Sequence, residues 1–145
     1  MDVWAIKPIV DVTILHGERL LMVQFSTPPD RQAGWFLPND VIREREHPDK
    51  AAARVLHEQI GLSIPAPQIF TVDSFQGNDG SWHLALHYLL KIDDAVAAEI
   101  RPSIAKIHWF DLAKLPAKAE VAHHGWYLDV VARNLRRMNS VSSTR

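Results

Sequence analysis

Between Asp40 and Gln59 the chain gathers side chains that could do chemistry: Asp40, Glu46, Arg54, Glu58 and Gln59. A hard cation such as magnesium takes oxygen ligands, usually carboxylates together with phosphate oxygens and water. The same acids are equally able to pair with arginine. Arg54 and Glu58 lie one helical turn apart, and such a pair stabilises an exposed helix by about 0.3 kcal/mol. Glu46 closes the charged run Arg43-Glu44-Arg45-Glu46, which also reads as a solvated segment. Asp40 follows Asn39, and Asn-Asp is turn chemistry. The eight histidines invite a search for a different metal site. His83 and His87 share a strand face but stand too far apart for one ion. His123 and His124 are neighbours near a helix start, and neighbours on a helix diverge. His57 flanks Glu58 and would need a partner, and no spacing matches a zinc motif.

One helix must position most of the acids. Pro48 suits the first helical position, where its missing N–H costs nothing. Asp49 in the first turn meets the positive end of the helix dipole. Ala51, Ala52 and Ala53 favour helix, and Gly61 is a natural left-handed stop. Ala52, Val55, Leu56 and Gln59 share a face, so the three apolar ones predict a buried stripe. A strand over Trp35–Leu37 and a polar turn are expected to lead into this helix.

The window Trp35–Leu62, WFLPNDVIREREHPDKAAARVLHEQIGL, resembles the Nudix box. That pattern is G-x5-E-x7-R-E-U-x-E-E-x-G-U, with U a bulky aliphatic, commonly preceded by a tryptophan and a Leu-Pro. Trp35, Leu37 and Pro38 fill the leading places. Glu46, Arg54, Leu56, Glu58, Gly61 and Leu62 fall in register without a gap. Four positions depart. Asp40 stands where the box opens with glycine, and Asn39 where another glycine usually precedes it. Val55 replaces the glutamate after the arginine, and Gln59 replaces the second of the Glu-Glu pair. The late segment AKIHWFDLAKLP is also Nudix-like.

The resemblance implies an α+β fold, the Nudix α/β/α sandwich with a mixed sheet between helices. It implies Mg²⁺ or Mn²⁺, with Glu58 as the surviving helix ligand; Asp40, a departure from the pattern, brings the one carboxylate able to compensate as a ligand. Glu46 would support the loop before the helix, Arg54 would orient the glutamates, and Gln59 would offer an amide oxygen. Arg31 would reach a phosphate, and Phe75 and Trp82 would stack on a base. The implied activity is hydrolysis of a nucleoside diphosphate linked to another group. Activity is expected to be weak, because valine offers no oxygen and glutamine only a neutral one. The alternative is an inactive Nudix-fold module that binds a nucleotide or regulates. The resemblance also implies pairing with a second copy, although no stretch declares an interface.

The rest of the chain supports these residues. At 145 residues it fits one domain, expected over 1–138 with a polar frayed tail over 139–145. Apolar content of 47% and charged content of 23% are ordinary for a globular protein. A formal net charge of −1 gives no bulk attraction to a nucleic acid duplex or a membrane; the resemblance implies a small-molecule nucleotide derivative as the partner. No cysteine is present, which excludes disulfides and thiolate metal sites and suits a reducing compartment. No apolar run nears the roughly 20 residues that span a bilayer, and no signal pattern opens the chain; a cytoplasmic protein is expected. Strands are expected over Ile9–Leu15, Leu20–Phe25, Gln68–Phe75, Trp82–Ile92 and Ile104–Phe110. Pro65 and Pro67 end the box unit. Gln76–Gly80 reads as a hairpin loop whose only acid is Asp79. Asp93–Ile100 is expected as a polar connection, Asp111–Leu115 as a helical turn, and Glu120–Met138 as the last helix.

Overall fold

The computed structural model describes residues 6–63, 67–77, 80–93 and 98–143. Pro65, Asp79 and positions 94–97 of the expected connection lie outside them. Six strands form one mixed sheet: β1 (Ile6–His16), β2 (Arg19–Phe25), β3 (Asn39–Val41), β4 (Gln68–Gln76), β5 (Trp82–Lys91) and β6 (Ile104–Asp111). Their order is β4-β5-β1-β2-β6, and β3 pairs with β1 beside that path. β1 and β5 run parallel from Ile6↔Trp82 to Leu15↔Lys91, and the other pairings are antiparallel. Two α-helices among the described residues complete the fold: α1 (Pro48–Ile60) and α2 (Ala122–Ser143).

Ile9 to Leu15 of β1 are buried without a break. A strand buried on both faces needs cover on both. Register partners in a parallel pair share a face, so Val12 and Tyr88 look the same way. The Tyr88 hydroxyl donates to Asp49 of α1 at 2.7 Å. Val10, Val12 and Ile14 therefore meet the buried face of α1, which carries Ala51, Ala52, Val55, Leu56 and Ile60. The other face holds Asp11, Thr13 and His87. There Asn134 of α2 donates to Thr13 Oγ1 at 3.1 Å, and Trp126 packs 5.4 Å from His87. Each large aliphatic side chain buried in these layers stabilises the fold by about 1.5–3 kcal/mol.

Two elements differ from the sequence expectation, the second of them at both ends. Trp35 and Phe36 make only single bridges, to Val121 and Val23, and the strand proper is Asn39–Val41 on β1. Pro38 between them has no N–H, so one ladder cannot run through it. The last helix runs to Ser143 rather than stopping at Met138. Its start is not helical: His123, His124 and Gly125 have φ of 55°, 55° and 83°, a left-handed turn before Trp126. Glycine at 125 accepts that conformation without a Cβ penalty.

Candidate active site

The box helix is set at both ends by local chemistry. The His47 imidazole accepts the Asp49 N–H at 3.1 Å, and Pro48 follows as the first helical residue. Gly61 closes the helix in the left-handed region at φ 71°, its N–H reaching His57 O at 3.1 Å. Leu62 N–H reaches back to Leu56 O at 3.1 Å, which completes the doubly bonded stop that glycine permits.

Arg54 is the centre of the polar side. Its guanidinium grips Glu46 twice, Nε to Oε2 at 2.8 Å and Nη2 to Oε1 at 2.9 Å. It also donates to Asp40 Oδ2 at 2.8 Å, Glu58 Oε2 at 3.4 Å and Val41 O at 3.1 Å. Only 11% of the Arg54 side chain and 15% of Glu46 are exposed, against 45% for Asp40 and for Glu58. The hydrogen bond from Arg54 is the main cause that holds the Glu46 carboxyl at about 2, below its ordinary 4.5. Charged hydrogen bonds of this fork geometry are the strong kind. Arg43 adds a second, looser contact to Glu58 at 3.5 Å.

Gln59 is buried, and both ends of its amide are engaged by one residue. Its Nε2 donates to the Asn39 carbonyl at 2.6 Å, and its Oε1 accepts the Asn39 N–H at 3.2 Å. The Asn39 side chain donates in turn to Leu37 O at 2.8 Å. Val55 is wholly buried in the core. Among the described residues no three His, Asp or Glu side chains form a group that could hold a metal ion. Val55 supplies no oxygen, Gln59 is taken by backbone, and Asp40 and Glu58 share the Arg54 guanidinium. These residues do not fit the divalent centre that a full box implies.

A cleft of about 860 Å³ opens beside α1. Asp40, Glu58 and Gln59 line one side, and Phe25, Phe36, Phe75, His83 and His123 line another. Lys7 and Arg31 add cationic groups. Arg54 holds Asp40 and Glu58 and is itself gripped by Glu46, and neither Arg54 nor Glu46 lines the cleft. Phe75 and His83 are register partners on β4 and β5, and their rings stack at 4.7 Å with 9° between planes. His83 is buried and its Nδ1 has no partner. His123 edges onto Phe36 at 5.9 Å and Phe75 at 5.3 Å, and its N–H is fixed by Gln32 Oε1 at 3.0 Å. Beneath the aromatic wall, His87 and Asp11 form a fully buried pair at 2.7 Å. Burial pushes the Asp11 carboxyl up, against the pull of His87.

Of the residues singled out in the sequence, Asp40, Glu58, Gln59, Arg31 and Phe75 border the cleft. Trp82 does not. It is the strand neighbour of His83, so alternation turns it to the opposite sheet face, where it is 46% exposed. Lys7, Phe25, His83 and His123 were not foreseen as cleft residues. His83 was within reach of sequence reasoning, since it shares a strand face with Phe75 across the hairpin. His123 was not, because it enters the cleft from a left-handed turn that reads as helix.

The NUDIX domain family model matches residues 6–130. The chain belongs to the Nudix family. The MutT protein from Methanosarcina mazei Go1 has a similar structure, with a TM-score of 0.74 and 16% identity over 92% of this chain and 95% of that one. An Ap4A hydrolase binary complex from C. elegans gives 0.69 and 18%, over 96% and 99%. A bifunctional NMN adenylyltransferase/ADP ribose pyrophosphatase from Francisella tularensis, complexed with AMP and Mn ion, gives 0.69 and 17%, over 90% of this Nudix chain and 42% of that chain. At these identities the likeness is one of fold. No curated protein matches the chain. Among the described residues, no helix of this Nudix domain is long and apolar enough to cross a membrane.

Proposed function

We propose that this Nudix protein binds a nucleoside diphosphate linked to another group in the cleft beside α1, and hydrolyses it only slowly. The observation that carries the reading is the make-up of that cleft. One cavity joins Glu58 of the box helix, an aromatic wall able to stack a base, and the cations Lys7 and Arg31. The compounds that the similar proteins are named for, Ap4A and ADP ribose, are of the same chemical kind. Glu58 and Asp40 are the acids at the cleft wall, and Arg54 with Glu46 fixes their position. Phe75 would hold a base, and Arg31 would meet phosphate oxygens. The slow rate follows from Val55 and Gln59, which leave one carboxylate, Glu58, at the three helix positions where the box has glutamate.

A second reading, a nucleotide-binding module without turnover, draws on the Gln59–Asn39 pairing, which ties both ends of the amide to backbone. A screen of nucleoside-diphosphate compounds with Mg²⁺ and with Mn²⁺ separates the two, reading release of the nucleoside monophosphate beside thermal shift. Release supports the hydrolase. A shift without release supports the binder. Neither signal across the screen would refute both.

A further inference from the structure

We infer that the Gln59 amide stands in for a divalent cation: it joins the box helix to the β3 backbone by neutral hydrogen bonds and makes this site metal-independent. The pairing is directional. Asn39 offers one N–H donor and one carbonyl acceptor, and the Gln59 amide answers both, at 3.2 Å and 2.6 Å. A glutamate at this position could still accept from the Asn39 N–H. Its second oxygen would then face the Asn39 carbonyl at the same short separation, acceptor against acceptor. Two such oxygens are reconciled by a cation between them or by a proton. The amide N–H supplies that bridging positive end without net charge. It does so in a buried place, where an unpaired polar atom is costly.

The charges around it agree. Asp40, Glu46 and Glu58 are met by Arg54 and Arg43, so three acids face two permanent cations through direct contacts. The residual field is far weaker than one built to extract an ion from water. Val55, at another ligand position of the box, is core packing. The helix, the β3 strand and the loop between them are thus already tied together at the points where a metal would tie them. The fold at this site needs no ion. Resting on the binding reading above, ligand uptake is also independent of one, with Lys7 and Arg31 facing the phosphates.

The test uses melting curves of the whole protein in EDTA, in Mg²⁺ and in Mn²⁺. The wild type is expected to melt at the same temperature in all three, and a rise of several degrees with either ion overturns the inference. Gln59→Glu is expected to melt about 5 °C lower in EDTA, since one buried hydrogen bond becomes a repulsion, and to regain most of that loss with Mn²⁺. A variant as stable as wild type in EDTA, or one with no response to either ion, also overturns it. If Gln59→Glu does not fold in EDTA, refolding it with and without Mn²⁺ gives the same discrimination, and failure in both sinks the idea. Calorimetric titration with ADP covers the ligand. The affinity in EDTA is expected to equal that in Mg²⁺, and a gain of about tenfold with Mg²⁺ overturns metal-independent uptake. ADP binding under neither condition removes the proposed function and leaves the melting result to decide the role of Gln59.

Discussion

Replacing Arg54 by alanine removes five hydrogen bonds and strands the acids they serve. The two bonds to Glu46 are shielded and charged, and bonds of that class contribute about 1.5–3 kcal/mol each. The Asp40 and Glu58 partners are nearly half exposed, and such pairs add roughly 0–1 kcal/mol. Contacts in one network do not sum, so the expected loss is about 3 kcal/mol. For a domain of this size that lowers the melting temperature by about 10 °C. The loss also has a pH signature. Arg54 holds the Glu46 carboxyl at about 2 against an ordinary 4.5. A depressed carboxylate stabilises fully above its unfolded value and loses that contribution as pH falls toward its folded value. The gap between wild type and Arg54→Ala should therefore be full at pH 7 and shrink steadily between 4.5 and 2. Circular-dichroism melts across that range measure it. A melting loss under about 3 °C at pH 7, or a gap that stays constant with pH, would refute Arg54 as the anchor of the site.

If the protein turns over a nucleoside-diphosphate compound, Glu58→Gln should abolish release of the nucleoside monophosphate without lowering the melting temperature, because its contacts to Arg54 and Arg43 are long and exposed; unchanged release would reject Glu58 as the centre. Phe75→Ala should weaken binding of an adenine nucleotide by about 1–3 kcal/mol, while Trp82→Ala leaves it unchanged, and calorimetry giving the reverse order would show that the base lies on the other sheet face. Asp11→Asn should relieve the cost of ionising a buried carboxyl. Burial raises this group in the folded state, so the wild type loses stability as pH rises from the ordinary 3.8 through the raised value, and the variant should gain on it across that interval; parallel curves would mean that His87 fully compensates the charge.

The box helix was legible because its signals are local. Pro48 at the start, Gly61 at the stop and the apolar stripe act through neighbours in the chain, and α1 spans Pro48–Ile60 as that logic requires. An apolar side chain at position 55 and a neutral amide at position 59, where the box has carboxylates, were equally plain, since side-chain chemistry is written in the residue type. The strand alternations gave β1, β2, β4, β5 and β6 to within a few residues. Shifting β3 from Trp35–Leu37 to Asn39–Val41 took a partner strand, since β1 supplies the hydrogen bonds that decide where pairing holds.

What tertiary structure alone decided is which partner each polar group takes. Sequence spacing offered Arg54 to Glu58, its neighbour one turn on. The fold gave its best contacts to Glu46 and Asp40, residues of the preceding loop that no helical periodicity ties to it. Gln59 looked like a ligand position with a weak oxygen, and folding placed the Asn39 backbone against both ends of its amide. Trp82 and His83 are adjacent in the chain, yet one lines the cleft and the other faces away, because a strand sends neighbours to opposite faces and only the register shows which face is the cleft. A residue's chemistry is carried by its own atoms. Its role depends on long-range packing, which sets what those atoms meet.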